Sequence, residues 1–294
     1  MRFIRNSILI AMLLSSTPGL AQTVASGDDA RTGTRPWALG LAGQLDDESN
    51  DSLFATFNWG VAENTWLSFI AGRSHSPRER ADVSVQTLSA SVDHRVGTIG
   101  LTFEVERWGD RGAVESDDLN ASVYFQGDRL RVGVQRERRD IDITFSTLGQ
   151  LDRIIQRKVG LTADGTGLSL GVQLADNWHL YLAGMNYDYS RNLSLLPRVR
   201  DFNLLSGSTL TLANSFLDVE ATLGLEVETG NRIINLSVTS DRSAVDRSRL
   251  TSFNAAVLFP VSRRIDIEVN IGKSDSDLVD SSVYGGIMLL IYGG

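Results

Sequence analysis

Three histidines, His75, His94 and His179, and no cysteine leave few places where acid-base or nucleophilic chemistry could begin. A nucleophile has to come within hydrogen-bond reach of its base. His75 and Ser76 are adjacent and point to opposite sides of an extended chain, and no His-x-Ser pair occurs. The histidines are read as loop or interface residues, and no catalytic residue is assigned. Two acidic segments, Asp46, Asp47, Glu48 and Asp51 in one and Asp275, Asp277 and Asp280 in the other, are oxygen-rich as calcium requires. Both lack the glycine and terminal glutamate of an EF-hand loop, so the expectation is solvated acidic loops, with no metal and no cofactor.

More information lies in acidic residues spaced two apart. Asp218, Glu220, Glu226 and Glu228 alternate with Leu217, Val219, Leu225 and Val227, and Asp266 and Glu268 alternate with Ile265, Ile267 and Val269. Glu104 and Glu106 likewise alternate with Phe103 and Val105. Period two places one set on one face of a β-strand and the other set on the opposite face. A helix would scatter both sets around its axis.

The elements that carry these rows recur from Pro36 to the C-terminus. Short breaks, such as 62–64, 97–98, 127–128, 176–177, 229–231 and 262–264, take turns with longer polar ones near 45–51, 74–81, 108–118, 146–154, 190–208, 241–249 and 274–280. One end of the sheet then has tight turns and the other has loops. That asymmetry marks a transmembrane antiparallel barrel with short periplasmic turns and longer outer loops. The count comes to about fourteen strands, with twelve as the fallback. The expected strands include 98–108, 119–126, 129–145, 155–175 and 209–228. The competing all-β reading is a secreted sandwich, whose apolar face would look inward. Trp37, Trp59, Trp66, Trp108, Trp178 and Tyr292 stand near strand ends and are candidates for the interfacial aromatic girdles.

Arg2 and Arg5 before the apolar run Ile8 to Leu14, then Gly19-Leu20-Ala21, have the layout of a cleavable export signal. Residues 1–21 are assigned to it, 22–35 to a flexible periplasmic segment, and 36–294 to a single barrel domain. A formal charge of −8 argues against a nucleic-acid partner, which calls for a basic face.

In this pattern the chain resembles the Gram-negative outer-membrane β-barrel superfamily, and within it the fourteen-stranded monomeric porins. The resemblance is one of architecture and carries over no individual residue. It implies partnership with outer-membrane lipid, lipopolysaccharide and the barrel-insertion machinery, which reads an aromatic-ended last strand. Tyr284, Gly286, Met288, Leu290 and Tyr292 fit that row, with the departure that Gly293 and Gly294 displace the aromatic from the end, and the opposite row, Val283, Ile287, Leu289 and Ile291, is apolar as well. The two faces of this strand stay unassigned. Barrels of this kind also include lipid-modifying enzymes with a His-x-Ser pair, which is missing here.

On this topology Glu104, Glu106, Asp218, Glu220, Glu226, Asp266 and Glu268 line the lumen together with Arg131 and Gln135. Charged rings select ions of opposite sign. The expected function is a porin-like passive channel for small hydrophilic solutes that prefers cations. The alternatives are a non-conducting surface or anchoring barrel, a barrel enzyme acting on envelope lipids, and a polymer exporter with periplasmic partners. Arg136 and Arg138 continue the outward row of Leu130, Val132 and Val134 and are expected to contact lipopolysaccharide. The acidic loops have a second reading too, divalent cations shared with that lipid. Residues 191–208 and 25–35 are candidates to plug the lumen.

Overall fold

The computed structural model describes residues 36–77, 83–110, 114–148, 154–193, 216–277 and 281–293. The expectations for 1–21 and 22–35, and for most of the plug segment 191–208, lie outside the described residues. Fourteen strands follow one another: β1 (Trp37–Asp46), β2 (Asp51–Ala62), β3 (Thr65–Ser76), β4 (Val83–Val96), β5 (Ile99–Asp110), β6 (Val114–Gln126) and β7 (Leu130–Leu148). The second half comprises β8 (Ile154–Ala175), β9 (Trp178–Tyr189), β10 (Leu217–Thr229), β11 (Arg232–Ser243), β12 (Arg249–Pro260), β13 (Ile265–Ser276) and β14 (Ser282–Gly293). Each pairs antiparallel with its sequence neighbour, and β1 closes on β14 from Trp37 opposite Gly293 to Asp46 opposite Tyr284. The sheet is a closed up-and-down barrel without an edge. Among the described residues no helix is long and apolar enough to cross a membrane.

The direction of the apolar face decides between barrel and sandwich. Leu41, Phe57, Phe69, Leu101, Phe103, Leu119, Val123, Val134, Leu182, Leu223, Leu236, Phe253, Val269 and Ile287 all point out and stay exposed. Thr56, Asn58, Thr102, Asn120, Thr222, Asn235, Ser237 and Ser252 point in and are buried. A belt of leucine, valine and phenylalanine around a polar interior is inside-out for water and stable in hydrocarbon, whose lack of donors and acceptors the closed sheet meets by pairing every strand. A strand of 12 residues, as β2 and β5 are, rises about 3.3 Å per residue and, tilted, crosses roughly 30 Å.

The strands run further toward the loops than the polarity of their ends suggests. β6 begins at Val114, not near 119, because Val114, Ser116 and Asp118 continue its inward row and pair with Ile143, Ile141 and Arg139 of β7. β10 is described from Leu217, and the expected residues 209–215 before it lie outside the described residues. A bulge interrupts it: Leu217 faces Ser243 and Val219 faces Arg242, which leaves Asp218 as the extra residue.

The girdle expectation is half right. Trp37, Trp59 and Trp178 face outward at the turn end, where Trp37 is directly opposite Trp59 and its ring lies 6.3 Å from that of Phe57. Trp66, Trp108 and Tyr292 face inward and are not girdle residues. Trp66 fills the space over Gly60, Trp108 packs in an apolar cluster, and Tyr292 donates to Asp266 Oδ2 at 3.1 Å. The last strand is now assigned as well: Tyr284, Met288 and Leu290 are buried inside, while Val283 and Ile287 lie in the belt.

Candidate functional site: the lumen

Strand parity places most of the expected lining residues on the inner wall. Glu104 and Glu106 point inward from β5, Arg131 and Gln135 from β7, Glu220 and Glu226 from β10, and Asp266 and Glu268 from β13. Asp218 departs from the row. At the bulge its carboxylate is held by Arg242, Nε to Oδ2 at 2.7 Å, and by Arg247 of the β11–β12 loop. Arg242 belongs to the outward row of β11, so the bulge spends this carboxylate on the loop-end rim.

Pairing gathers the lining into clusters that parity alone does not foretell. On the β4–β9 wall, near the turn end, Tyr124 Oη donates to Asp93, 3.0 and 3.1 Å from its two oxygens, and Thr102 donates to the same carboxylate at 2.9 Å. The Arg131 guanidinium lies 4.0 Å from the centre of the Tyr124 ring, a cation–π contact. The ring of Tyr124, itself held by Asp93, thus fixes Arg131 against the wall.

Higher on the same wall Arg139, 1% exposed, is surrounded by acids. Its Nε meets a Glu137 oxygen and lies 3.5 Å from Asp118 Oδ2, and its Nη2 donates to Tyr187 Oη at 2.7 Å. Asp118 also accepts from Trp108 Nε1 at 2.9 Å, and Glu104 accepts from Ser89 at 2.7 Å. Directly opposite in register, Glu106 pairs with Asp118, and Asp118 with Arg139. A buried cation is tolerable only with such partners. Sequence reasoning missed Asp93, Asp118, Glu137 and Arg139. The signal for the last two was present, because parity from Arg131 and Gln135 leads straight to them.

Above this polar layer the loop end is apolar. Trp108, Val114, Ile141, Ile143 and Leu161 from the strands pack with Leu193 and Phe216, which flank the β9–β10 loop, and with Val245 of the β11–β12 loop. Both ends of the long loop are therefore anchored inside the mouth. On the β10–β14 wall Ile233, Leu258, Met288 and Leu290 form a second apolar patch near the turn end. Between them Glu104, Glu106, Asp266, Asn254 and Asn270 stay half-exposed on the inner face.

The histidines are dispersed: His75 and His94 face out on β3 and β4, and His179 faces in on β9. His94 Nδ1 lies 2.8 Å from Thr65 Oγ1. Of the acidic loops, Asp47 accepts from Ser282 Oγ at 2.6 Å and from the Val283 amide at 3.1 Å, which ties the β1–β2 loop to the start of β14.

A closed fourteen-strand antiparallel sheet with an apolar exterior, a polar interior and turns at the chain's end of the cylinder has a known counterpart. The fold is a closed outer-membrane-type β-barrel, shared with solved structures of that class. OmpT of Vibrio cholerae, an outer-membrane protein, superposes on the barrel with a TM-score of 0.51 at 9% identity over 88% of this chain and 97% of its own. A monoaromatic hydrocarbon channel, CymD, gives 0.49 at 9% identity over 88% and 87%. The NanC porin gives 0.43 at 6% identity over 86% and 98%. No protein-family model and no curated protein matches the barrel's sequence.

Proposed function

We propose that the protein is a porin-like passive channel of the Gram-negative outer membrane, open to small hydrophilic solutes and preferring cations. The observation that carries this reading is the sign of the inner wall. Glu104, Glu106, Asp118, Glu226, Asp266 and Glu268 face inward and outnumber the inward basic side chains Arg95, Arg131 and Arg139. Arg139 is fully buried and bound to acids, so it offers nothing to a passing anion. Carboxylates along a low-dielectric wall raise the local concentration of cations and admit them preferentially. Residues 1–21 serve as the export signal, and β14, whose row runs to Tyr292 ahead of Gly293 and Gly294, serves the insertion machinery. We read the barrel as a conduit and not an enzyme, which the separation of the three histidines supports.

At the upper edge of the belt the outward positions turn basic: Val105 is followed by Arg107, Val134 by Arg136 and Arg138, and Ile271 by Lys273. Arg136 donates to Thr166 Oγ1 at 2.7 Å and lies 3.5 Å from Asp164, and Arg138 lies 3.5 Å from Asp140. These exposed pairs are weak, which leaves Arg136 and Arg138 able to exchange their acids for lipopolysaccharide phosphates.

The apolar cluster around Leu193 and Phe216 favours a second reading, a capped barrel that anchors or displays its loops and passes no current. Purified protein in planar bilayers separates the two. The channel reading expects discrete conductance steps and, in a KCl gradient, a reversal potential of the sign set by potassium; silent bilayers or chloride preference would overturn it.

A further inference from the structure

We propose that His179, Glu226 and Glu228 form a binding site for one divalent first-row transition-metal ion at the turn-side mouth of the lumen. Glu226 and Glu228 are two apart on β10 and therefore share its inner face, and Glu226 is directly opposite His179 of β9. One ligand atom from each residue can be drawn so that all three lie within 4.8 Å of one another. Ligands about 2.0–2.2 Å from a common ion fit inside that envelope with small rotations about the side-chain torsions.

Two features of the surroundings point to a cation. No lysine or arginine among the described residues makes an ion pair with Glu226 or Glu228, although two carboxylates held this close repel each other. Asn235, 6% exposed, stands opposite Glu226 on β11, and its amide nitrogen has no hydrogen-bond partner while its oxygen accepts from Tyr181. The oxygen and nitrogen ends of a carboxamide are nearly isosteric and can exchange places. Turned over, Asn235 would keep Tyr181 as a partner and offer its oxygen to the site. One imidazole nitrogen with two carboxylate oxygens suits zinc, manganese or iron(II) better than calcium or magnesium, which take oxygen ligands alone. The half-buried setting leaves coordination positions for water.

The site stands on register and parity and does not depend on whether the barrel conducts. The full chain, refolded in detergent micelles and stripped of metal, is titrated with Zn2+ by calorimetry, and folding of every variant is checked by heat-modifiable gel migration. One equivalent is expected to bind. His179→Ala and the double variant Glu226→Gln/Glu228→Gln should each weaken binding at least about tenfold, since the loss of mere outer-shell partners already does so. Asp275→Asn/Asp277→Asn, at the loop end of β13 and away from the site, should leave it unchanged. X-ray absorption on the zinc-loaded wild type gives a reading free of variants: imidazole scattering is expected. Absence of saturable binding, unaltered affinity in folded His179→Ala, or a coordination shell without imidazole would each overturn the proposal.

Discussion

The ring of Tyr124 lies across Gly100, its partner directly opposite on β5, so closely that a Cβ built on the glycine would sit 2.0 Å from the ring's Cζ. The arrangement recurs with Tyr181 over Gly224, Tyr284 over Gly272 and Phe54 over Gly72, each an opposed pair in register. Glycine in a strand gives up β-propensity, and here the space is filled by an aromatic face from the neighbouring strand. At Gly100 the ring is also the platform that holds Asp93 and Arg131 to the wall. Gly100→Val is expected to expel Tyr124 and to destabilise the barrel by roughly 1–3 kcal/mol, the usual range for overpacking. Gly171→Ala, where the nearest atom is Arg131 Cβ at 3.7 Å, should change stability by less than about 0.5 kcal/mol. Urea titration of barrels folded into lipid vesicles checks both.

The contact between Asp47 and β14 predicts a pH response of the loop end. The Ser282 hydroxyl, helped by the Val283 amide, holds the Asp47 carboxyl below the usual carboxylate range. A depressed folded pKa contributes stability above the unfolded value, about 3.9, that is lost as pH falls through the folded value. The difference in Val283 amide protection between wild type and Asp47→Ala should therefore stay level from about pH 8 to about pH 5 and shrink below about pH 4. Hydrogen exchange in micelles measures it. A difference that declines near neutrality would show that another group governs the contact.

Which parts of this molecule could be read without coordinates follows from what period two does and does not encode. Alternation and the turn-loop asymmetry located all fourteen strands, and parity carried Glu104, Glu106, Glu226 and Glu268 to the inner wall. Parity fails where one residue is inserted, as at Asp218, because a single-residue slip exchanges the faces. Trp66 and Trp108 were misassigned because position near a strand end says nothing of direction, whereas counting from Phe69 or Phe103 does. The acids around Arg139 come from three strands, and the polar run through 108–118 reads as a loop until Val114 to Asp118 find their partners on β7. The closeness of His179 to Glu226 is purely a matter of register between β9 and β10.

The packing of Leu193 and Phe216 inside the loop-end mouth is testable by conductance. Leu193 and Phe216 are 1% and 3% exposed within a cluster that spans β4 to β8 and the β11–β12 loop. Truncating a buried phenylalanine removes roughly 3–5 kcal/mol of packing, enough to release a loop end without unfolding a sheet closed elsewhere by strand pairing. Phe216→Ala is expected to raise the mean single-channel conductance while gel migration of the folded form stays the same. Unchanged conductance in the folded variant would mean that this cluster does not narrow the path.

Arg139 is the keystone of the acidic wall, and its removal should be costly in a way that a second change repairs. Arg139→Met leaves Glu137 and Asp118 buried beside Glu104 and Glu106 with no guanidinium among them. Breaking a buried pair on one side typically destabilises by about 3–5 kcal/mol, because the remaining charge is uncompensated. Adding Glu137→Gln removes the carboxylate bound most closely and should recover a large share of that loss. The coupling between the two positions is expected to exceed about 1 kcal/mol, as for residues of one network. Urea titrations of the wild type, both single variants and the double variant in vesicles give the cycle. The same four proteins in a KCl gradient report on selectivity: Arg139→Met should strengthen the preference for potassium, since it removes a cation from the wall, and the double variant should bring it back toward the wild type.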